Sequence, residues 1–218
     1  MNAPLAVERK RWFGLYPALV ADLVDPDGRG RIKVRFPGFG EAGAEVFAWA
    51  TLLTPYADQD QGLQILPEVD SQVVIAFEAG DPMRPYIVGA CWNGQATLPQ
   101  NAEAANNKRT LKTRSGSQLE FDDTEGAARI TLSMQSGHQL VLDDAAQEVT
   151  FTHSNGCILK MNAAGQVTLN ANVSVDVTAP LINLKSPMVK ADSVVQCSTL
   201  IANSVVSSSY TPGAGNIW

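Results

Sequence analysis

The residues best suited to chemistry are two pairs of carboxylates, Asp122-Asp123 and Asp143-Asp144, set 21 positions apart. Cleavage of a glycosidic bond needs two carboxyl groups facing one another across it, and repetitive β scaffolds can present such pairs. These pairs, however, occupy equivalent positions of a repeat, where Asp also ends strands and forms turns. Nothing nearby supplies the partner that would tune an acid or a base. His138 and His153 are the only histidines and lack the close spacing of a metal site, although three symmetry copies of one His could surround an ion. Ser115 and Ser136 lie in Ser-Gly turns outside any G-x-S-x-G context, and no phosphate-binding loop or dinucleotide fingerprint occurs. No catalytic residue, metal or cofactor is therefore expected.

The elements that position these residues are repeated. Residues 115–123 read Ser-Gly-Ser-Gln-Leu-Glu-Phe-Asp-Asp and residues 136–144 read Ser-Gly-His-Gln-Leu-Val-Leu-Asp-Asp, identical at six of nine positions. A looser copy begins at Asn155-Gly156-Cys157, 19 residues further on. Shorter alternating runs at Ile130/Leu132, Val149/Phe151 and Val167/Leu169 lie between the copies, so each unit supplies two strands and two turns. From Thr152 to Ser209 there is no Phe, Tyr or Trp, and the candidates for burial are aliphatic side chains at alternate positions. Strands this thin do not enclose a core within one chain. Three copies wound about one axis would close each other's edges around a narrow aliphatic seam. The expected shaft is an intertwined, trimeric, triple-stranded β-helix over residues 110–209, with a single-chain β-sandwich as the alternative. Its seam is expected to use Leu119, Phe121, Ile130, Leu132, Leu140, Leu142, Val149, Phe151, Leu159, Met161, Val167 and Leu169.

After Gly165 the period tightens to seven, in Val175/Val177, Ile182/Leu184 and Val189/Ala191, with Pro180 and Pro187 between. Two prolines seven apart exclude a coiled coil and favour narrower β turns. The tail, residues 210–218, breaks the pattern with Pro and Gly, and its Tyr210, Ile217 and Trp218 are expected to contact the tip or a partner.

Upstream, residues 1–12 form a lead-in and residues 97–109 a polar linker. Between them, residues 13–96 hold five short strand candidates, at 15–24, 31–36, 47–53, 72–77 and 86–90, parted by loops rich in Gly, Pro and Asp. This predicts a small closed barrel of the OB type. In the second strand Arg31, Lys33 and Arg35 alternate with Ile32, Val34 and Phe36. That basic stripe could take phosphates, but carboxylates crowd around it. The net charge is −6, and it is negative on both sides of Thr97, so stable nucleic-acid binding is not expected. Cys91, Cys157 and Cys197 are odd in number and have no CxxC spacing, and they read as reduced, buried thiols of a cytosolic assembly. Gly14, Pro17 and Asp22 interrupt the apolar stretch after Arg9-Lys10-Arg11, which favours a first strand over a signal peptide.

The series Gly30–Pro37 (G-R-I-K-V-R-F-P), Pro67-Glu68-Val69, Gly80-Asp81-Pro82, Arg84-Pro85, Ile87-Val88-Gly89 and Trp92-Asn93 resembles the OB domain of phage baseplate assembly protein V and of VgrG-like central spikes. The repeat opening at Thr113-Arg114-Ser115-Gly116 is similar to that family's shaft. Asp70 stands where the family pattern has Gly, a change that Asp tolerates if the backbone there is left-handed. The resemblance implies an all-β homotrimer acting as a membrane-puncturing spike and baseplate hub component of a contractile phage tail or related injection system. It implies no enzymatic activity and a place in the virion tail baseplate after assembly in the host cytoplasm. The short linker leaves no room for a lysozyme domain and no VgrG hub region precedes the barrel, so a separate hub protein is expected at the OB end. A PAAR-like protein is expected at the C-terminal end, where the family's iron-binding His-x-His motif is absent, and the target cell envelope is met during injection. Two other readings compete: a glycan depolymerase using the repeated aspartates, and an OB-fold nucleic-acid module using Arg31, Lys33 and Arg35.

Overall fold

The computed structural model describes residues 11–40 and 44–209. Its strands pair into a closed barrel, a seven-stranded sheet and one two-residue hairpin, and no α-helix occurs among the described residues.

The barrel uses β1 (Tyr16–Asp22), β2 (Arg31–Phe36), β3 (Val46–Leu52), β6 (Gln72–Phe77) and β7 (Pro85–Ala90), closed in the order β1-β2-β3-β7-β6. Only β3 and β7 run parallel, with Thr51 opposite Tyr86. This is the five-stranded OB arrangement. All five expected strands form, within two residues of their expected ends. Period-two alternation explains the agreement, since every second residue of β2 is buried. Ala18, Val20, Ile32, Val34, Phe36, Ala50, Val73, Ile75 and Ile87 make the core. Trp12, Tyr16, Phe36, Phe39 and Phe77 cluster beside it, with ring centres from 4.5 to 6.1 Å apart. The loop after β3 carries a hairpin of β4 (Ala57–Asp58) and β5 (Gln61–Gly62), too short to announce itself in sequence.

The turn between β1 and β2 is built around Asp25. Its carboxylate accepts the backbone N–H groups of Asp27, Arg29 and Arg31 at 3.0, 3.1 and 3.2 Å, and the Arg31 guanidinium through Nε and Nη2 at 2.8 Å each. The side chain is 2% exposed. The Arg31 guanidinium, joined by the backbone donors, holds this carboxyl far below its ordinary value of 3.8. Asp70 is left-handed, with φ 66°, and its N–H donates to Val20 O at 2.9 Å. The departure from Gly is thus accommodated, as expected of Asp.

The second sheet is an antiparallel meander: β8 (Lys108–Lys112), β9 (Gln118–Asp122), β10 (Arg129–Ser133), β11 (Gln139–Asp143), β12 (Glu148–Thr152), β13 (Ile158–Met161) and β14 (Val167–Asn170), each paired with the next. Two strands and two turns per repeat are as expected. The turns starting at Thr113, Met134 and His153 close identically. In each, the first residue donates its N–H to the carbonyl four residues on and accepts from the N–H three residues on, as in Met134 N to His138 O (3.0 Å) and Gly137 N to Met134 O (2.9 Å). Gly116, Gly137 and Gly156 occupy the left-handed position of these turns, at φ 82°, 95° and 93°.

The chain divides into two compact units at Asn170/Ala171. Among the described residues 171–209 no strand is assigned, and bends fall on Pro180 and Pro187. The expectation of buried thiols needs correction: all three cysteines are free, but Cys91 and Cys197 are exposed and Cys157 is half-buried. Cys91 follows the last barrel strand, and Cys197 lies in a segment where no strand is assigned among the described residues.

Two outcomes are expected. A group whose carboxyl is held low in the folded state contributes its full stability above the ordinary value and loses it as pH falls toward the folded value. In denaturant titrations below pH 3.8, Asp25→Asn should therefore lose less stability than the wild type, while starting from a lower stability at pH 7. Asp70→Ala should cost about 1 kcal/mol, and Asp70→Gly should be tolerated.

Candidate assembly surface

The meander has two unlike faces. Its register aligns Leu111, Leu119, Leu132, Leu140, Phe151, Leu159 and Leu169 in one row across all seven strands. A second row on the same face runs Arg109, Phe121, Ile130, Leu142, Val149, Met161 and Val167. All twelve residues named as the shaft seam lie in these two rows, and Leu111 joins them. Leu111 precedes the first repeat copy, which is why the repeat did not reveal it. Arg109, the single charged member, pairs with Asp123 at 2.6 Å at the margin of the row.

The opposite face is polar. Thr110, Glu120, Thr131, Val141, Thr150, Lys160 and Thr168 align across it. Neighbouring ion pairs join Lys108 to Glu120 at 3.5 Å and Lys160 to Glu148 at 2.7 Å. This face is what water should meet, yet the apolar face is the more open one. Leu132 is 49% exposed, Phe151 46% and Leu169 59%, whereas Glu120, Thr131, Val141, Thr150 and Lys160 are half-buried. Among the described residues no second sheet covers the apolar rows, so the β-sandwich alternative is not found there. A side chain of this size gains about 1.5–3 kcal/mol on full burial, and nine of the thirteen are exposed, with Leu119, Leu140, Val149 and Leu159 half-buried, so this face is the candidate surface for association.

Residues 171–209 carry the same need in another form. Val173, Val194, Ile201 and Val206 are at least 86% exposed. No backbone–backbone hydrogen bond joins two residues of 173–209 among those described. Extended backbone of this kind is paired by neighbouring strands or by water.

The other candidate residues find ordinary places. Asp122 is buried and accepts Thr124 Oγ1 at 2.5 Å and Thr124 N at 3.1 Å. These bonds, aided by Lys108 and Arg129, hold its carboxyl below the ordinary range, opposite to what a general acid needs. Asp143 accepts Ala146 N at 2.8 Å and so shapes a turn. Arg31 binds Asp25 and Asp27, Arg35 reaches Glu45 at 3.1 Å, and Lys33 lies over the Phe47 ring at 4.9 Å. The basic stripe is thus engaged within the barrel. His138 and His153 stand side by side, a pairing hidden by their separation of 15 positions. No group of three or more metal-ligating side chains occurs among the described residues. Tyr210, Ile217 and Trp218 lie outside the described residues.

The barrel has the five-stranded OB arrangement, and the family comparison falls on the same residues. Residues 16–92 match the type VI secretion system/phage-baseplate injector OB domain. The chain is also similar to type VI secretion spike protein VgrG3 of Vibrio cholerae, with 26% identity over 60% of this chain and 14% of that protein. It is similar to spike protein VgrG1a of Pseudomonas aeruginosa, with 25% identity over 56% and 21%, and to the actin cross-linking toxin VgrG1 of V. cholerae, with 25% identity over 54% and 12%. The chain thus spans only a small part of the length of these relatives. The resemblance to the baseplate and VgrG-like spike family is borne out.

The two faces make opposite forecasts for adjacent residues. Leu132→Lys should lower the mass of the purified chain's assembly in light scattering, because it places a charge on the face to be covered. Thr131→Lys, on the polar face, should leave the mass unchanged. Equal masses for both variants and the wild type would remove the apolar face as the assembly surface.

Proposed function

We propose that three copies of this chain form the central spike of a contractile injection system, a phage tail or a related device, and that the spike acts mechanically. The observation carrying this reading is the continuous apolar face of β8–β14, open along its whole length in one chain. Three copies would turn these faces toward a common axis, with Leu119, Phe121, Ile130, Leu132, Leu140, Leu142, Val149, Phe151, Leu159, Met161, Val167 and Leu169 forming the seam. Residues 171–209 would pair with their counterparts in the other copies, forming the narrower, intertwined part of the β-helix. Stiffness would come from interchain hydrogen bonds and the aliphatic seam, and sheath contraction would drive the needle through the target envelope. Puncture asks for slow unfolding rather than catalysis.

In this reading the barrels, over residues 13–96, sit on a separate hub protein in the baseplate, and residues 97–109 link them to the shaft at 110–209. The tail at 210–218, with Tyr210, Ile217 and Trp218, meets a PAAR-like tip protein. The depressed carboxyl of Asp122 and the turn role of Asp143 favour the mechanical reading over a depolymerase, and the internal engagement of Arg31, Lys33 and Arg35 weighs against a nucleic-acid module.

Light scattering on the full chain should give a mass three times 23.3 kDa, and the same species should persist in unboiled SDS because interlocked chains separate slowly. A folded monomer would overturn the trimer, the shaft and the puncture mechanism together.

A further inference from the structure

The dipeptide Asn-Gly occurs twice in the chain, at Asn93-Gly94 and Asn155-Gly156. Such a pair can react with itself. The glycine nitrogen lies one residue beyond the Asn amide and can close a five-membered ring on its Cγ, and the missing Cβ leaves that approach open. Whether it does so depends on how the fold holds the attacking nitrogen and the carbonyl. The two pairs differ in the first of these.

At Asn93 three hydrogen bonds hold the side chain. Its Oδ1 accepts the Gln95 N–H at 3.0 Å and the Ala96 N–H at 3.4 Å, and its Nδ2 donates to Gln72 Oε1 at 3.0 Å. The two N–H donors are aimed at the oxygen on which negative charge grows when Cγ is attacked, so they stabilise the tetrahedral oxyanion. Gly94 is exposed, with φ 85°, and no atom beyond its chain neighbours lies within 4 Å of where a Cβ would stand. Its N–H has no hydrogen-bond partner among the described residues. The nucleophile is therefore free to lose its proton to solvent.

At Asn155 the carbonyl is polarised too, since Oδ1 accepts the Cys157 N–H at 3.0 Å. There, however, the nucleophile is engaged. Gly156 N–H donates to His153 O at 2.9 Å, within a turn that the bond from His153 N to Cys157 O, also 2.9 Å, clamps between β12 and β13. Attack would have to break the bond that closes each repeat.

We propose that Asn93-Gly94 is a self-modifying site, at which the Gly94 nitrogen attacks Asn93 Cγ. The N–Cγ bond forms as the nitrogen's proton passes to solvent and the carbonyl electron pair moves onto Oδ1. When that pair returns, the Cγ–Nδ2 bond breaks and Nδ2 leaves as ammonia, taking a proton from solvent. Water then opens the succinimide at either carbonyl, giving aspartate or isoaspartate. One water is consumed and one ammonia released. The residue gains a negative charge and Gln72 loses its donor. In isoaspartate the main chain also gains a methylene, just after β7 leaves the barrel. The site thus records how long a chain has stood folded. It needs only the barrel and the loop that follows, so it stands apart from the trimer reading.

The test is peptide mapping by mass spectrometry of the full chain, incubated at pH 7 and pH 9, folded and in denaturant. In the folded chain Asn93 should become a mixture of aspartate and isoaspartate about tenfold faster than Asn155, the factor expected from one intact hydrogen bond on the Gly156 nitrogen. Its rate should rise about tenfold from pH 7 to pH 9, because the attacking amide must lose its proton. In denaturant the two sites should convert at similar rates. An Asn93 that stays intact in the folded chain, or an Asn155 that converts as fast, would overturn the proposal. A difference between the sites that persists in denaturant would place its cause in the flanking sequence, and would equally overturn it.

Discussion

The structure depends on one deficit: a single chain makes more apolar surface and more extended backbone than it can cover. Burial is what offsets the conformational entropy lost on ordering a chain. The barrel meets this requirement alone, with nine buried hydrophobic residues and no open edge. The meander meets it on the polar face, where threonines and ion-paired side chains are half-buried, and leaves it unmet on the other. Residues 171–209 leave it unmet for the backbone as well. The proposed trimer is the simplest arrangement that answers both needs with the same partner.

The two parts differ in how they manage strand edges. In the barrel, β1 pairs with β6 and the sheet closes on itself, so no ladder is left for another chain. The meander ends at β8 on one side and β14 on the other, and its strands are four or five residues long. Short strands, uniform turns and two apolar rows suit a structure that gains rigidity from repetition rather than from a deep core. The carboxylates that first suggested catalysis serve this repetition. Asp122 is held ionised by Thr124 and its basic neighbours, and Asp143 binds the turn that follows.

Much of this was legible in the residues because both sheets alternate strictly. Barrel strands were placed within two residues, and all twelve seam candidates fall on one face. What was missed required either a third dimension or a partner. The pairing of His138 with His153 follows from the register of β11 against β12, which the spacing of 15 hides unless the repeat is laid out strand by strand. The role of Asp25 was visible only as turn composition, since its five donors come from residues brought together by that turn. Burial of the cysteines was inferred from residue type, and position overruled it. Residues 171–209 show alternation without strands, because a strand is defined by the ladder it joins.

The repeat has one more consequence, which concerns size. Each unit of 19 to 21 residues adds one hairpin to the edge of the previous one, and neighbouring strands are about 4.8 Å apart, so a unit adds roughly 10 Å. The rows of side chains pass from unit to unit unchanged, and every unit closes with the same glycine turn. A gene that gained or lost one unit would therefore encode a longer or shorter sheet of the same width and the same two faces. Reach is thus a quantity this architecture can change in fixed steps, with no residue elsewhere having to adjust.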